Sequence, residues 1–165
     1  MPQSPRRSSE PGHQRKFLII VDGTAESDRA IYYAARRAQS TGGQVVMLAI
    51  SAPPDRQSWA GVEALMRQEA LDAAEEALQQ AAIRVRAVSG LEPERHVGEG
   101  DKAAEILRLI SEDEDIAILI LAAGTGREGP GPLIAALAGG AISSFSVPIT
   151  IVPGHLSDAE IDALS

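Results

Sequence analysis

The 165-residue chain contains no cysteine, which excludes disulfide frameworks, thiolate metal sites and cysteine nucleophiles. Aromatic residues make up only 3% of it: Phe17, Tyr32, Tyr33, Trp59 and Phe145. A single-stranded nucleic acid therefore finds no row of rings on which to stack its bases. Positive charge is also short, with 15 Lys and Arg against 23 Asp and Glu and a formal net charge of -8. Binding to nucleic acid needs a basic patch that displaces counterions from phosphates, and this balance argues against one. The longest strongly apolar run, residues 116–123, falls far short of the roughly 20 residues that span a bilayer. After Arg6 and Arg7 only residues 17–21 are apolar, too few for the core of a signal peptide. These absences lead to the expectation of a soluble, cytoplasmic protein with neither nucleic acid nor membrane as partner.

What is present reads as one ordinary globule, with 44% apolar and 23% charged residues and enough length for a real core. Residues 1–15 are Pro, Ser, Gly, Gln and Arg without periodicity, and are expected to be a disordered tail. Its Arg6, Arg7 and Arg15 make it either a solvated leader or a basic arm for an acidic partner. Residues 16–154 carry the pattern of an α/β domain. Residues 155–165 form a short C-terminal helix, because Ser157 and Glu160 have capping-box spacing and Leu156 and Ile161 have hydrophobic-staple spacing.

Within the domain, residues 17–21 and 45–50 are continuous apolar runs, as expected of strands covered on both faces. Between them Ile31, Ala34, Ala35 and Ala38 recur at helical spacing, with Thr24 or Ser27 as cap and Gly42-Gly43 as stop. A long helix from Trp59 is predicted to bury Val62, Met66, Ala70, Ala73, Ala77 and Ala81. Residues 91–98 form a weaker, polar strand that suits a sheet edge. Asp101 caps a helix with Ala103, Ile106, Leu107 and Ile110 inward. The acids at 112–115 form its exit, read as a solvated run in preference to a metal site. The strand at 116–123, a short helix at 133–138 and the strand at 149–152 complete the order β-α-β-α-β-α-β-α-β. That order predicts a five-stranded, doubly wound parallel sheet, strand order 3-2-1-4-5, with helices on both faces. Ligands of such sheets bind beyond the strand ends where the order reverses. Strands 1 and 4 flank that crevice, and they end in Asp22-Gly23-Thr24 and Gly124-Thr125-Gly126.

Catalytic chemistry finds little support. Gly124, Gly126 and Gly129 have dinucleotide-fingerprint spacing, but they follow strand 4 and are succeeded by prolines in place of a helix. Lys16 and Lys102 are the only lysines, so the late lysine of a phosphoacceptor receiver is missing. His13, His96 and His155 are far apart, with no helical ligand pair for a metal. No nucleophile-elbow pattern occurs. The expectation is a protein that is not an enzyme.

Taken together, Val21-Asp22-Gly23-Thr24, the Gly-Glu-Gly-Asp of residues 98–101, the glycine-rich stretch after strand 4 and the Val-Pro of residues 147–148 before a β-branched strand resemble the universal stress protein family over residues 17–153. The resemblance implies a small cytoplasmic α/β domain, usually dimeric, from a family with one branch that binds ATP and one that does not. It places the adenine and ribose end of a nucleotide at Val21, Asp22 and Ile50. The phosphate end falls on Gly124 and on a Gly-x2-Gly-x9-Gly pattern matched by Gly126, Gly129 and Gly139, with Gly140 where that pattern has a hydroxyl residue. Two readings follow: a stress-response module holding ATP or a related nucleotide, or a dimeric protein-interaction module that has lost it. The uncharged strand 149–152 is the expected homodimer contact, beside an unidentified protein partner.

Overall fold

The computed structural model describes residues 5–51, 60–125 and 131–165. Five parallel strands form one sheet in the order β3-β2-β1-β4-β5. Along the chain the elements run β1 (Lys16–Ile20), α1 (Ala25–Thr41), β2 (Gln44–Ser51), α2 (Ala60–Ser89), β3 (Glu94–Glu99) and α3 (Lys102–Glu112). They continue with β4 (Ile116–Ala123), α4 (Pro132–Ala138), a single 3-10 turn (Ala141–Ser144), β5 (Ile149–Pro153) and α5 (Asp158–Leu164). The expected architecture and strand order are therefore observed.

The apolar runs work as expected because both sheet faces are covered. Successive side chains of a strand point to opposite faces. Phe17 and Ile19 on β1, with Val45, Met47 and Ala49 on β2, enter one core that α1 and α2 close with Ala34, Ala35, Leu78 and Val85. Leu18 on β1, with Val46 and Leu48 on β2, enters a second core closed by Ile106 and Ile110 of α3 and Leu137 of α4. The polar β3 sits at one edge and β5 at the other.

Helix ends follow local chemistry. The Thr24 side chain caps α1, and Gly42 stops it in the left-handed region at φ 70°, where a Cβ would be penalised. Asp101 accepts from the Ala104 N–H at 2.9 Å and so caps α3. Ser157 and Glu160 form both hydrogen bonds of the capping box on α5.

Three expectations need correction. The buried face of α2 is Ala74, Leu78, Ala81, Ala82 and Val85, whereas Val62 and Met66 are 49% and 40% exposed. The first turns of this helix carry few residues that distinguish one face from another, and none of residues 61–69 is covered. On α3, Leu109 is buried with Ile106 and Ile110, and Leu107 is only partly so. From residue 5 onward the expected loose tail is tied to the body. Arg6 Nη1 donates to the carbonyls of Ile110 at 2.7 Å and Asp113 at 2.9 Å. The Arg7 N–H donates to the Glu114 carbonyl at 2.9 Å, and His13 Nδ1 lies 2.6 Å from Asp115 Oδ1. The basic arm thus docks on the chain's own 110–115 segment, largely through backbone carbonyls. Contacts made more than one hundred residues away leave no periodic trace in the sequence.

Candidate functional site

The strand order reverses at β1, which pairs with β2 on one side and β4 on the other. The chain leaves β1 through Val21, whose N–H donates to the Leu48 carbonyl at 2.9 Å. Val21 is buried in the core beneath α1 and α2. Asp22 follows, exposed, and its Oδ1 accepts from the Thr24 N–H at 2.9 Å and the Thr24 hydroxyl at 2.7 Å. Thr24 Oγ1 in turn accepts from the Ser27 N–H at 3.3 Å. Asp22 therefore braces the turn that starts α1. Among the described residues nothing donates to its second oxygen, which faces solvent.

Ile50 lies near the end of β2, half-buried against the second core, and pairs in register with Gly98 on β3. A Cβ on Gly98 would come within 2.8 Å of Glu105 Oε2, so glycine here lets the α3 carboxylate cross the strand. Glu99 receives two hydrogen bonds from Arg67, each 2.9 Å. Gly100 adopts φ 101° before the Asp101 cap. The Gly-Glu-Gly-Asp segment thus joins β3 to α3 and, through Glu99, is tied to α2.

On the β4 side, Gly124 follows the strand and is partly exposed. Gly126 and Gly129 lie outside the described residues. Gly139 and Gly140 end α4 and are exposed, and their N–H groups are engaged. Gly139 donates to the Ala135 carbonyl at 3.0 Å and Gly140 to the Leu137 carbonyl at 3.2 Å. Gly140 has φ 125° with open space where a Cβ would project. Its conformation, not crowding, requires glycine and disfavours a serine or threonine. The structure brings the ends of β2, β1 and β4 together, carrying Ile50, Val21 with Asp22, and Gly124. Gly139 and Gly140 belong to the end of α4.

Two further features border the β1 end. Gly154, after β5, packs against the Ala123 carbonyl, with Thr125 and Glu26 as its other neighbours. A groove of about 560 Å³ runs between α1 and α2, floored by Val21, Ile31 and Ala81 and bordered by Asp22, Asp28 and Arg84. Arg84 Nε donates to Asp28 Oδ1 at 2.9 Å. Burial acts to raise the Asp28 carboxyl, but hydrogen bonds from Arg84 and Arg29 outweigh it and hold the group below the usual carboxylate range. Sequence reading missed Gly154 and the Asp28–Arg84 pair. A glycine just after the proline that ends the last strand was the only local sign of the first. The pair spans 56 positions and had none. Among the described residues no cluster of His, Asp or Glu could hold a metal ion, and no helix is long and apolar enough to cross a membrane.

The family model for the universal stress protein family matches residues 14–153. No curated protein matches the sequence. Among solved structures, the universal stress protein UspA from Lactobacillus plantarum is similar with a TM-score of 0.72 at 15% identity, over 84% of this chain and 97% of that one. The universal stress protein from Archaeoglobus fulgidus in complex with dAMP has a TM-score of 0.59 at 19% identity, over 84% and 97% of the two chains. A family protein from Arabidopsis thaliana with AMP bound has a TM-score of 0.59 at 14% identity, over 84% and 91%. At these identities the likeness speaks for the fold.

Proposed function

This chain belongs to the universal stress protein family, and we propose that it is a non-catalytic stress-response module that holds an adenine nucleotide, ATP or a close relative, in the crevice above β1 and β4. The observation that carries the reading is the arrangement at the switch point. Asp22 offers one unpaired carboxylate oxygen beside the buried Val21, with Ile50 and Gly124 at the ends of the two strands that flank β1. A carboxylate there can accept a ribose hydroxyl or an exocyclic amine, and an aliphatic wall can cover a flat base. The dAMP and AMP complexes of two similar folds support the same ligand class. The family resemblance assigns the phosphate contacts to Gly124, Gly126 and Gly129, of which Gly124 lies within the described residues, and the amides of Gly139 and Gly140 already serve α4. Mass spectrometry of the natively purified protein tests the reading. A co-purified adenine nucleotide is expected, and a protein that carries none and shows no heat with AMP or ATP would overturn it.

A second reading concerns assembly and rests on β5. Among the described residues this strand pairs only with β4, it carries no charge, and its Ile151 is 48% exposed. Open uncharged edges attract another strand. We infer a homodimer joined through residues 149–152, in the cytoplasm, with nucleotide occupancy and partner choice as its variables. The C-terminal helix seats Ile161 in the core shared by α1, α2 and Val152 of β5.

A further inference from the structure

The C-terminal helix α5 lies beyond residues 14–153, the part that the family model matches. At 7 residues it is far too short to hold a helical form by itself in water. Its apolar hold is Ile161, fully buried, with Leu156 packed partly beside it. The rest of the hold is polar, most of it between arginines and aspartates. Arg29 on α1 donates to the Leu156 carbonyl at 2.9 Å and to Asp158 at 2.8 Å. Asp162 accepts from the Tyr32 hydroxyl at 2.8 Å and from Arg36 Nε at 2.7 Å. Arg84 reaches across from α2 to within 3.7 Å of Asp158.

These contacts surround one ring. The guanidinium carbons of Arg29, Arg36 and Arg84 lie 5.5, 5.7 and 5.2 Å from the Tyr32 centroid, within cation–π range. Three like charges crowd there, and three carboxylates balance them: Asp28 from α1, and Asp158 and Asp162 from α5. Without α5 the three arginines keep one carboxylate among them. Asp158 and Asp162 are 53% and 38% exposed, so dissolved ions reach this network. Screening shortens the range of such attractions from about 10 Å at 0.1 M salt to about 3 Å at 1 M.

We propose that α5 is an ionic-strength latch: closed over α1 at low salt by the arginine cluster around Tyr32, and released as salt rises. Release uncovers the seat of Ile161 and takes Asp158 away from Arg84. Arg84 and its partner Asp28 border the groove beside Val21 and Asp22, so the state of the latch is transmitted to the β1 end. A rise in internal ionic strength is then a physical input that this module can sense. The inference stands on the latch geometry and does not depend on a bound nucleotide.

Hydrogen exchange on the full chain tests it, comparing roughly 20 mM with roughly 500 mM sodium chloride, a range over which screening changes strongly. Amides of residues 160–164 are expected to exchange about tenfold faster at the higher salt, with β1, β2 and β4 unchanged. Sucrose at matched osmolality should leave them slow. The double variant Asp158→Asn, Asp162→Asn should exchange fast at both salts, with no salt response left. Equal protection of α5 at both salts in the wild type overturns the latch, and so does a double variant that keeps the wild-type salt response.

Discussion

Gly154 lies against the carbonyl oxygen of Ala123 so closely that no side chain fits between them. The contact joins the exit of β5 to the end of β4 at the rim of the crevice. Its φ lies outside the left-handed region, so glycine is required here for space and not for backbone freedom. A Cβ would press on backbone, which cannot swing aside as a side-chain tip can. Gly154→Ala should therefore cost about 1–3 kcal/mol, as overpacking of a filled site does. For a chain of this size that lowers Tm by roughly 2–4 °C per kcal/mol. Thermal unfolding followed by circular dichroism reads it, and an unchanged Tm would show that β5 can shift outward freely.

The engaged amides of Gly139 and Gly140 bear on which nucleotide fits. Each hydrogen bond to a charged phosphate oxygen is worth about 1.5–3 kcal/mol. With both N–H groups already donating to Ala135 and Leu137, the outer phosphates of ATP lose two such donors. Calorimetry should give ATP less than about a tenfold advantage over AMP, or under about 1.4 kcal/mol. A hundredfold preference for ATP would mean that the end of α4 opens on binding.

Acid should loosen the C-terminal helix. Hydrogen bonds from Arg36 and Tyr32 hold the Asp162 carboxyl below its ordinary 3.8, and Asp28 is likewise held low. A carboxylate depressed in the folded state stabilises fully above its unfolded value, and that contribution disappears as pH falls through 3.8 and below. Tm measured down the acid range should decline, and Asp162→Asn should flatten the decline below that value. An identical pH profile in the variant would remove Asp162 from the acid response.

The strands and their order were legible because burial on both faces leaves an unbroken apolar run, as in residues 45–50, and because a polar run such as β3 belongs at an edge. The caps at Thr24, Asp101 and Ser157 were legible because capping depends on residue types at short fixed spacing. The buried face of α2 was not, since alanine serves equally well inside and outside. Nor was the attachment of Arg6, whose acceptors are carbonyls of Ile110 and Asp113 that any residue supplies. Asp22 and Gly124 are candidates read from strand ends followed by turn residues, and the structure places them just beyond β1 and β4. Gly140 was read from its place in a motif, whereas its φ of 125° is what the glycine provides.

The open edge of β5 makes a prediction about assembly. A partner strand would hydrogen-bond to the free side of residues 149–152, confined by Pro148 and Pro153, which donate no N–H. Sedimentation should find a dimer at micromolar concentration, and Thr150→Pro should convert it to monomer with its circular dichroism spectrum largely kept. A wild-type monomer under those conditions contradicts the inferred interface.

We propose that the crevice above β1 and β4 holds an adenine nucleotide through Asp22. Titration calorimetry with AMP on the wild type and on Asp22→Ala tests it most directly. Removing the carboxylate also takes away a brace from the α1 turn, so Asp22→Asn, which keeps an oxygen for Thr24, is measured beside it. Saturable heat is expected in the wild type, with affinity at least about tenfold weaker in both variants, the loss of one charge-assisted hydrogen bond. Binding of equal strength in all three proteins, or no binding in the wild type, would contradict the account.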